Sequence, residues 1–382
     1  MQNLERLISL DVFRGITIAS MVLVNNPGTW SAVYEPLKHA EWHGVTPTDY
    51  IFPFFLFIVG VAITLSLGKK IEAVGVSRKI YLKIFKRAAL IFLLGLFLAA
   101  YPFYDFAQGG WIDLSKLRIM GVLQRIAVCY LIASLIFIHT NWQWQALIAA
   151  ALCLIYWFLM TFIPVPGCVE TSIDDKACNL AAYLDRLILG ENHLWRQSRV
   201  YDPEGLLSTI PAISTTLAGV LTGHWIRKKE IGNYEKVAGI FFFGVLLSAI
   251  GYFWGFFFPL NKSLWTSSYA VYTAGLALCF LGFCYYLVEV KSSVWWTKPF
   301  VIFGVNPLIL FVGSGLMAKT LLLIKVEGAD GKPVSLQKWI FDNFFLPFAE
   351  PINASLLYAV SFIVFWLFLM WLLYRKGIYI KV

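Results

Sequence analysis

Histidine is the side chain that takes or gives a proton near neutral pH. Residues 36–44, PLKHAEWHG, hold His39 and His43, two of the chain's five histidines. Four apart on a helix, the pair would share a face and suit a metal. Gly44 and Pro47 follow too closely for a helix, and no firm third ligand stands near, so no metal site is expected. Proton transfer is the chemistry the pair can offer, with a plain solvated loop as the alternative. Trp30, Tyr34 and Trp42 surround it. Flat aromatic faces suit sugar rings, and they equally suit the belt at a membrane interface.

Other polar groups interrupt apolar runs. Asp11 and Arg14 are three apart and share a helix face, either as an ion pair or facing a wet cavity. That run ends at Asn25, Asn26, Pro27 and Gly28, which stops a helix and turns the chain. In RIMGVLQRIAV, Arg118 and Arg125 are two helical turns apart, with Gln124 adjoining. Arg125 then lies roughly 10 Å deeper than Arg118 and needs an anion or acceptors at that depth. Asp202 and Glu204 flank Pro203 in a tight turn, with Ser208 and Thr209 placed to cap the next helix. NKSLWTSSY supplies Asn261, Lys262, Trp265, Ser268 and Tyr269. Asn306 precedes Pro307 inside an apolar run, where a broken helix leaves carbonyls for a polar partner.

The elements that must position these residues are membrane helices. Of 382 residues, 59% are hydrophobic and only 14% charged, too few charges for an ordinary soluble domain. The fold class expected is all-α: one polytopic helical membrane domain, 1–382, with about ten spans. They fall near 9–26, 50–68, 84–101, 119–139, 145–164, 208–226, 237–258, 268–289, 299–323 and 354–374. The alternating ten-residue strands of a transmembrane barrel are absent from the sequence. The first thirty residues lack a basic leader and a small-residue cleavage site, so the first helix is expected to stay in the chain.

Charge sets the orientation. Lys69, Lys70, Arg78, Lys79, Lys83, Lys86 and Arg87 crowd one connection, and Arg227, Lys228, Lys229, Lys291, Lys298, Arg375 and Lys376 fall on the same side if there are ten spans. That side is cytoplasmic by the positive-inside rule, and it would hold both termini. The same sorting explains the net charge of +9; no aromatic-basic motif points to nucleic acid. The opposite side receives 27–49, 102–118, 165–207, 259–267 and 324–353. Cys168 and Cys178, in 165–207, are expected to bridge, with two free thiols as the alternative. Cys129, Cys153, Cys279 and Cys284 read as small packing residues.

Taken together, SLDVFRG, MVLVNN, KHAEWHGVTPTDYIFPFFLFIVG, RIMGVLQR, FIPVPGC, YLDRLILGENHLW, YDPEGLLSTI and NKSLWTSSY resemble the heparan-α-glucosaminide N-acetyltransferase family, including its bacterial homologues. They occur in the family's order over nearly the whole chain. The resemblance implies a transmembrane acetyltransferase that takes acetyl from cytoplasmic acetyl-CoA and delivers it to an amino sugar on the far side. It places the family's catalytic histidine on His39 and a functional asparagine on Asn25. It places none on His43, where eukaryotic members have asparagine. It implies a homodimer in the bacterial inner membrane, without the additional luminal domain and preceding helix of the eukaryotic members.

On this reading Asp49, Trp42, Asp202, Glu204, Trp265 and Ser268 are expected around the sugar. Arg14, Arg87, Arg118, Gln124, Arg125 and Asn306 are expected along the path of CoA. An acetyl-histidine intermediate and direct transfer both stay open. Two rivals remain: an O-acetyltransferase of envelope glycans with the same histidine, and a sugar permease. Ten spans, a broken helix and buried arginines suit the permease, but no inverted repeat is visible.

Overall fold

The computed structural model describes residues 7–106, 109–328 and 330–380. Its first helix, α1 (Ile8–Asn25), stops where Asn26, Pro27 and Gly28 turn the chain. Two short 3-10 turns, Glu35–Leu37 and Pro47–Tyr50, carry the chain past His39 into α2 (Ile51–Val74). Thr46 and Asp49 form a reciprocal capping box at the second turn. Helices α3 (Arg78–Ala100), α4 (Val122–His139) and α5 (Trp142–Phe162) follow. A short α6 (Leu180–Leu189) precedes α7 (Thr209–Arg227), α8 (Asn233–Trp254) and α9 (Ser267–Tyr285). The chain ends with α10 (Lys298–Val305), α11 (Pro307–Leu323), α12 (Leu336–Phe344) and α13 (Pro351–Arg375).

Every expected span falls on a helix, so the fold is an all-α polytopic membrane fold. Seven helices are long and apolar enough to cross a membrane alone, and α10 with α11 makes an eighth candidate bent by 83°. The bend sits at Asn306–Pro307, where Pro307 removes a backbone donor. The two expected spans outside that set have physical reasons. Helix α3 opens with Arg78, Lys79, Lys83, Lys86 and Arg87. Helix α7 carries serine and threonine side chains; Thr216 and Thr222 turn their hydroxyls back onto the carbonyls of Ala212 and Ala218, four residues earlier.

Helix α7 is the buried centre, packed by α2, α4, α5 and α9. Its contact with α2 is backbone to backbone. A Cβ on Gly60 would collide with the carbonyl of Thr216, and one on Gly219 with that of Phe57. Small residues at such crossings let membrane helices approach closely. The loops after α3 and α11 contain structure that the alternation of apolar and polar residues does not announce. Two antiparallel hairpins pair Tyr104–Asp105 with Gly110–Trp111 and Lys325–Glu327 with Pro333–Ser335. Cys168 and Cys178 are joined, S–S 2.04 Å.

Candidate active site

His39 stands in the loop between α1 and α2, with its side chain half exposed. Its Nδ1 lies 2.6 Å from Oδ1 of Asp49, whose side chain is buried. A carboxylate only accepts, so Nδ1 carries the hydrogen and Nε2 keeps its lone pair. The other Asp49 oxygen accepts from Ala40 N at 3.1 Å, Thr46 N at 2.9 Å and Thr46 Oγ1 at 3.1 Å. Tyr269 donates to the Asp49 carbonyl at 2.5 Å. Asp49 is therefore locked from five directions and in turn fixes the ring. A buried carboxylate that sets the tautomer of a half-exposed histidine is the arrangement of a general base.

Lys262 completes the group. Its Nζ is 3.1 Å from both ring nitrogens of His39 and 3.8 Å from Asp49 Oδ1. Burial pulls its ammonium below the ordinary lysine value, although Asp49 and Glu204 pull it back. The loop that presents it is tightly built. Buried Asn261 accepts from Leu264 N at 2.8 Å, and its own N–H donates to Thr266 Oγ1 at 3.0 Å. Trp265, fully buried, holds a left-handed backbone at φ 47°. That conformation costs on the order of 1–3 kcal/mol and persists only where the surroundings impose it.

His43 does different work. Its Nε2 meets Asp174 at 2.7 Å and its Nδ1 meets Asn261 Nδ2 at 3.3 Å. Trp42 donates to the Ile173 carbonyl at 2.9 Å. Ile173 and Asp174 lie within the segment closed by the disulfide, which thus braces the His39 loop.

These residues open onto one cavity of about 840 Å³. His39, Trp42, Asp49, Trp195, Tyr201, Glu204, Lys262 and Asn25 line one end. Lys70, Lys83 and Arg87 line the other, with Arg14 between. Along α2 the lining runs from Ile51 to Lys70, roughly 28 Å at the usual rise per residue. A hydrocarbon core is about 30 Å thick.

A family model described as "Heparan-alpha-glucosaminide N-acetyltransferase, catalytic" matches residues 6–248. The chain belongs to this family. Two curated relatives bear the name heparan-alpha-glucosaminide N-acetyltransferase, and each is 29% identical. The Mus musculus protein aligns with 82% of this chain and 54% of its own length, the Homo sapiens protein with 99% and 60%. The chain thus spans little more than half the length of these acetyltransferases.

The family match takes in His39, Asn25, Asp49 and the Arg118 cluster, but Lys262 lies beyond it. Among the residues expected at the site, His39, Asn25, Trp42, Asp49, Glu204, Arg14, Arg87 and Arg118 line the cavity. The rest stand behind its wall. Gln124 packs against Gly95, and Ser268 donates to the Phe258 carbonyl at 2.5 Å. Trp265 lies under Arg125, 5.2 Å from its guanidinium carbon. Arg125 is fully buried and donates to the Gly205 carbonyl at 3.0 Å and to Ser208. Asn306 binds the C-terminal tail, donating to the Ile378 carbonyl and accepting from Ile380 N, both at 3.0 Å.

Two of these residues have their partners within the protein. Asp49 is held by the His39 ring and by the backbone and hydroxyl of its own loop. Arg118 is at the His39 end, where Asp202 takes it at 2.9 and 2.5 Å and Glu204 at 2.5 Å. Two carboxylates therefore already take this guanidinium. Despite burial, the cations Arg118, Arg125 and Lys262 hold Glu204 below its usual range.

Proposed function

We propose that this protein moves acetyl from acetyl-CoA, entering at the Lys70–Lys83–Arg87 end, to the amino group of a glucosamine-type sugar at the His39 end. The observation that carries the reading is the single cavity with a histidine–aspartate pair at one end and a basic cluster at the other. On the orientation set by the basic connections, the cluster and both termini face the cytoplasm, ten helical segments cross the inner membrane, and His39 faces outward. Lys70, Lys83 and Arg87 suit the phosphates of CoA, because they line the end where its charged head would stay. The pantetheine arm is apolar enough and long enough to follow the cavity toward His39.

At the outer end His39 Nε2 accepts the proton of the sugar amine as its nitrogen attacks the thioester carbonyl. Asp49 holds the ring and stabilises the imidazolium that forms. Asn25 donates to the oxyanion. The thiolate leaves with the proton from His39. Trp42, Trp195 and Tyr201 offer faces for the sugar ring, and Glu204 offers a negative wall for the ammonium form.

The test uses the full chain in sealed vesicles with labelled acetyl-CoA and glucosamine. Wild type yields labelled N-acetylglucosamine, and His39→Ala lowers the rate about 100- to 10,000-fold. A hydroxylamine-labile product would instead indicate an ester and an O-acetyltransferase. Flux of unmodified glucosamine at equal rates in wild type and His39→Ala would indicate a permease.

A further inference from the structure

Lys262 has no role in the proposed reaction, yet its ammonium lies against the His39 ring. Equal distances of 3.1 Å to both ring nitrogens fix where its ammonium sits. In the ring plane, that position would collide with the carbon between the two nitrogens. The ammonium therefore lies over the face of the imidazole. The in-plane lone pair of Nε2 stays open to an acceptor, and a cation waits beside it.

We propose that Lys262 is a further catalytic group, one whose ammonium stabilises the oxyanion when the acceptor nitrogen attacks the acetyl carbonyl. The proposal rests on the acetyl-transfer reading. An amine hydrogen-bonded in plane to Nε2 lies roughly 4 Å from Nζ, taking a right angle between the two contacts. In the tetrahedral intermediate the carbonyl oxygen is bonded one carbon away from that nitrogen, which brings it within hydrogen-bond reach of Lys262.

The electron and proton movements balance. The nitrogen lone pair forms the N–C bond, the carbonyl π pair moves to oxygen, and His39 Nε2 takes the N–H proton. On collapse the C=O bond reforms, the C–S bond breaks, and the thiolate takes the proton from His39. Lys262 keeps its protons throughout.

Two features make the lysine stronger in the transition state than before it. Among the described residues its close contacts are a 3.8 Å approach to Asp49 and the face of a ring, with Glu204 acting from farther off. Burial already works against its charge, and a developing anion relieves that cost only while the oxyanion exists. The supporting loop is rigid, with Asn261, Thr266 and the strained Trp265 all fully buried.

The experiment compares Lys262→Met, Lys262→Gln and Lys262→Arg with wild type and His39→Ala, using labelled acetyl-CoA and glucosamine. Met and Gln should lower kcat about 100- to 1000-fold with the acceptor KM within about threefold. Arg, which keeps the charge, should stay within about tenfold of wild type. Thermal midpoints are read alongside, and the Gln variant with its polar head guards against misfolding of the Met variant. A Gln or Met variant within threefold of wild-type kcat overturns the proposal. So does a loss confined to acceptor KM, which would make Lys262 a binding group, or an Arg variant as inactive as Met. An inactive wild type would overturn the acetyl-transfer reading itself, whereas an active wild type beside unaffected lysine variants would overturn only the role of Lys262.

Discussion

Asp185 faces a cluster it does not neutralise. It sits on α6 with its side chain buried, accepting from Leu206 N at 2.8 Å, with Asp202 and Arg125 nearby. Burial first, then Asp202, push its carboxyl up to about 7. An acid whose folded value is raised favours folding while protonated. Its contribution is complete below the unfolded value near 4 and is lost as pH rises through about 7. Glu204, held low by the cations around it, works in the opposite sense, so the comparison must isolate Asp185. Asp185→Asn should flatten the fall in thermal midpoint that wild type shows between pH 5 and pH 8; over that window the difference is worth about 3 kcal/mol at most. Parallel curves for the two proteins would mean that Asp185 ionises as an exposed acid does. Such a residue looks ordinary in sequence, inside YLDRLIL, because its surroundings come from residues 17 to 21 positions later. Lys262 was hidden in the same way. It is 223 residues from His39, and only its place in a polar loop between two apolar runs singled it out. His39 itself was legible through motif resemblance, Arg118 and Arg125 through their place in an apolar run, and Asp202 and Glu204 through the turn at Pro203, although the pairing of Arg118 with the two carboxylates was not.

At the scale of elements, apolar run length announced the helices, because each must bury or expose twenty or so apolar residues to lipid. Helix ends were legible where Asn-Pro or Pro-Gly punctuates the chain. The loops after α3 and α11 were not, since the hairpins and α12 are held by packing that no short pattern encodes. Asn306 shows how a visible break can hide its purpose. The sequence marks the interruption at Pro307, but the partner of the freed polar group is the C-terminal tail. Helix α13 starts at the His39 end, where Gly28 N donates to the Ser355 carbonyl at 3.2 Å, and runs to Arg375 at the basic end. The tail then returns to Asn306, and Ile380 becomes part of the cavity wall. On the proposed reading, Asn306 would act on the donor through the tail. Losing two hydrogen bonds should release it, and Asn306→Ala should raise the KM for acetyl-CoA about tenfold while leaving the KM for glucosamine unchanged. A rise in both constants together would assign Asn306 to general packing of the α10–α11 bend.

The whole molecule is organised around a distance. On the proposed reading, a charged donor cannot enter hydrocarbon and a polar acceptor on the other side cannot reach it, so the bundle would have to offer the thioester a path between the two ends of the cavity. Helices α1 and α2 form one wall of that path, with α3 and α4 opposite, and the lining along α2 passes through Phe55, Ile58, Val59, Ala62, Ile63 and Ser66. Ala62 lies more than halfway from Ile51 to Lys70, far from both the His39 pair and the basic cluster. A phenyl ring there would stand in the cavity and touch neither end. Ala62→Phe should therefore keep the fold and still bind the CoA head, read as a thermal shift with CoA itself, yet lose labelled acetyl transfer about 100-fold or more, since a misplaced reacting group costs that much. Ala62→Gly, which widens the same point, should transfer at close to the wild-type rate. Unchanged transfer in the phenylalanine variant would mean that acetyl does not travel along α2, and the two ends of the cavity would then belong to separate functions.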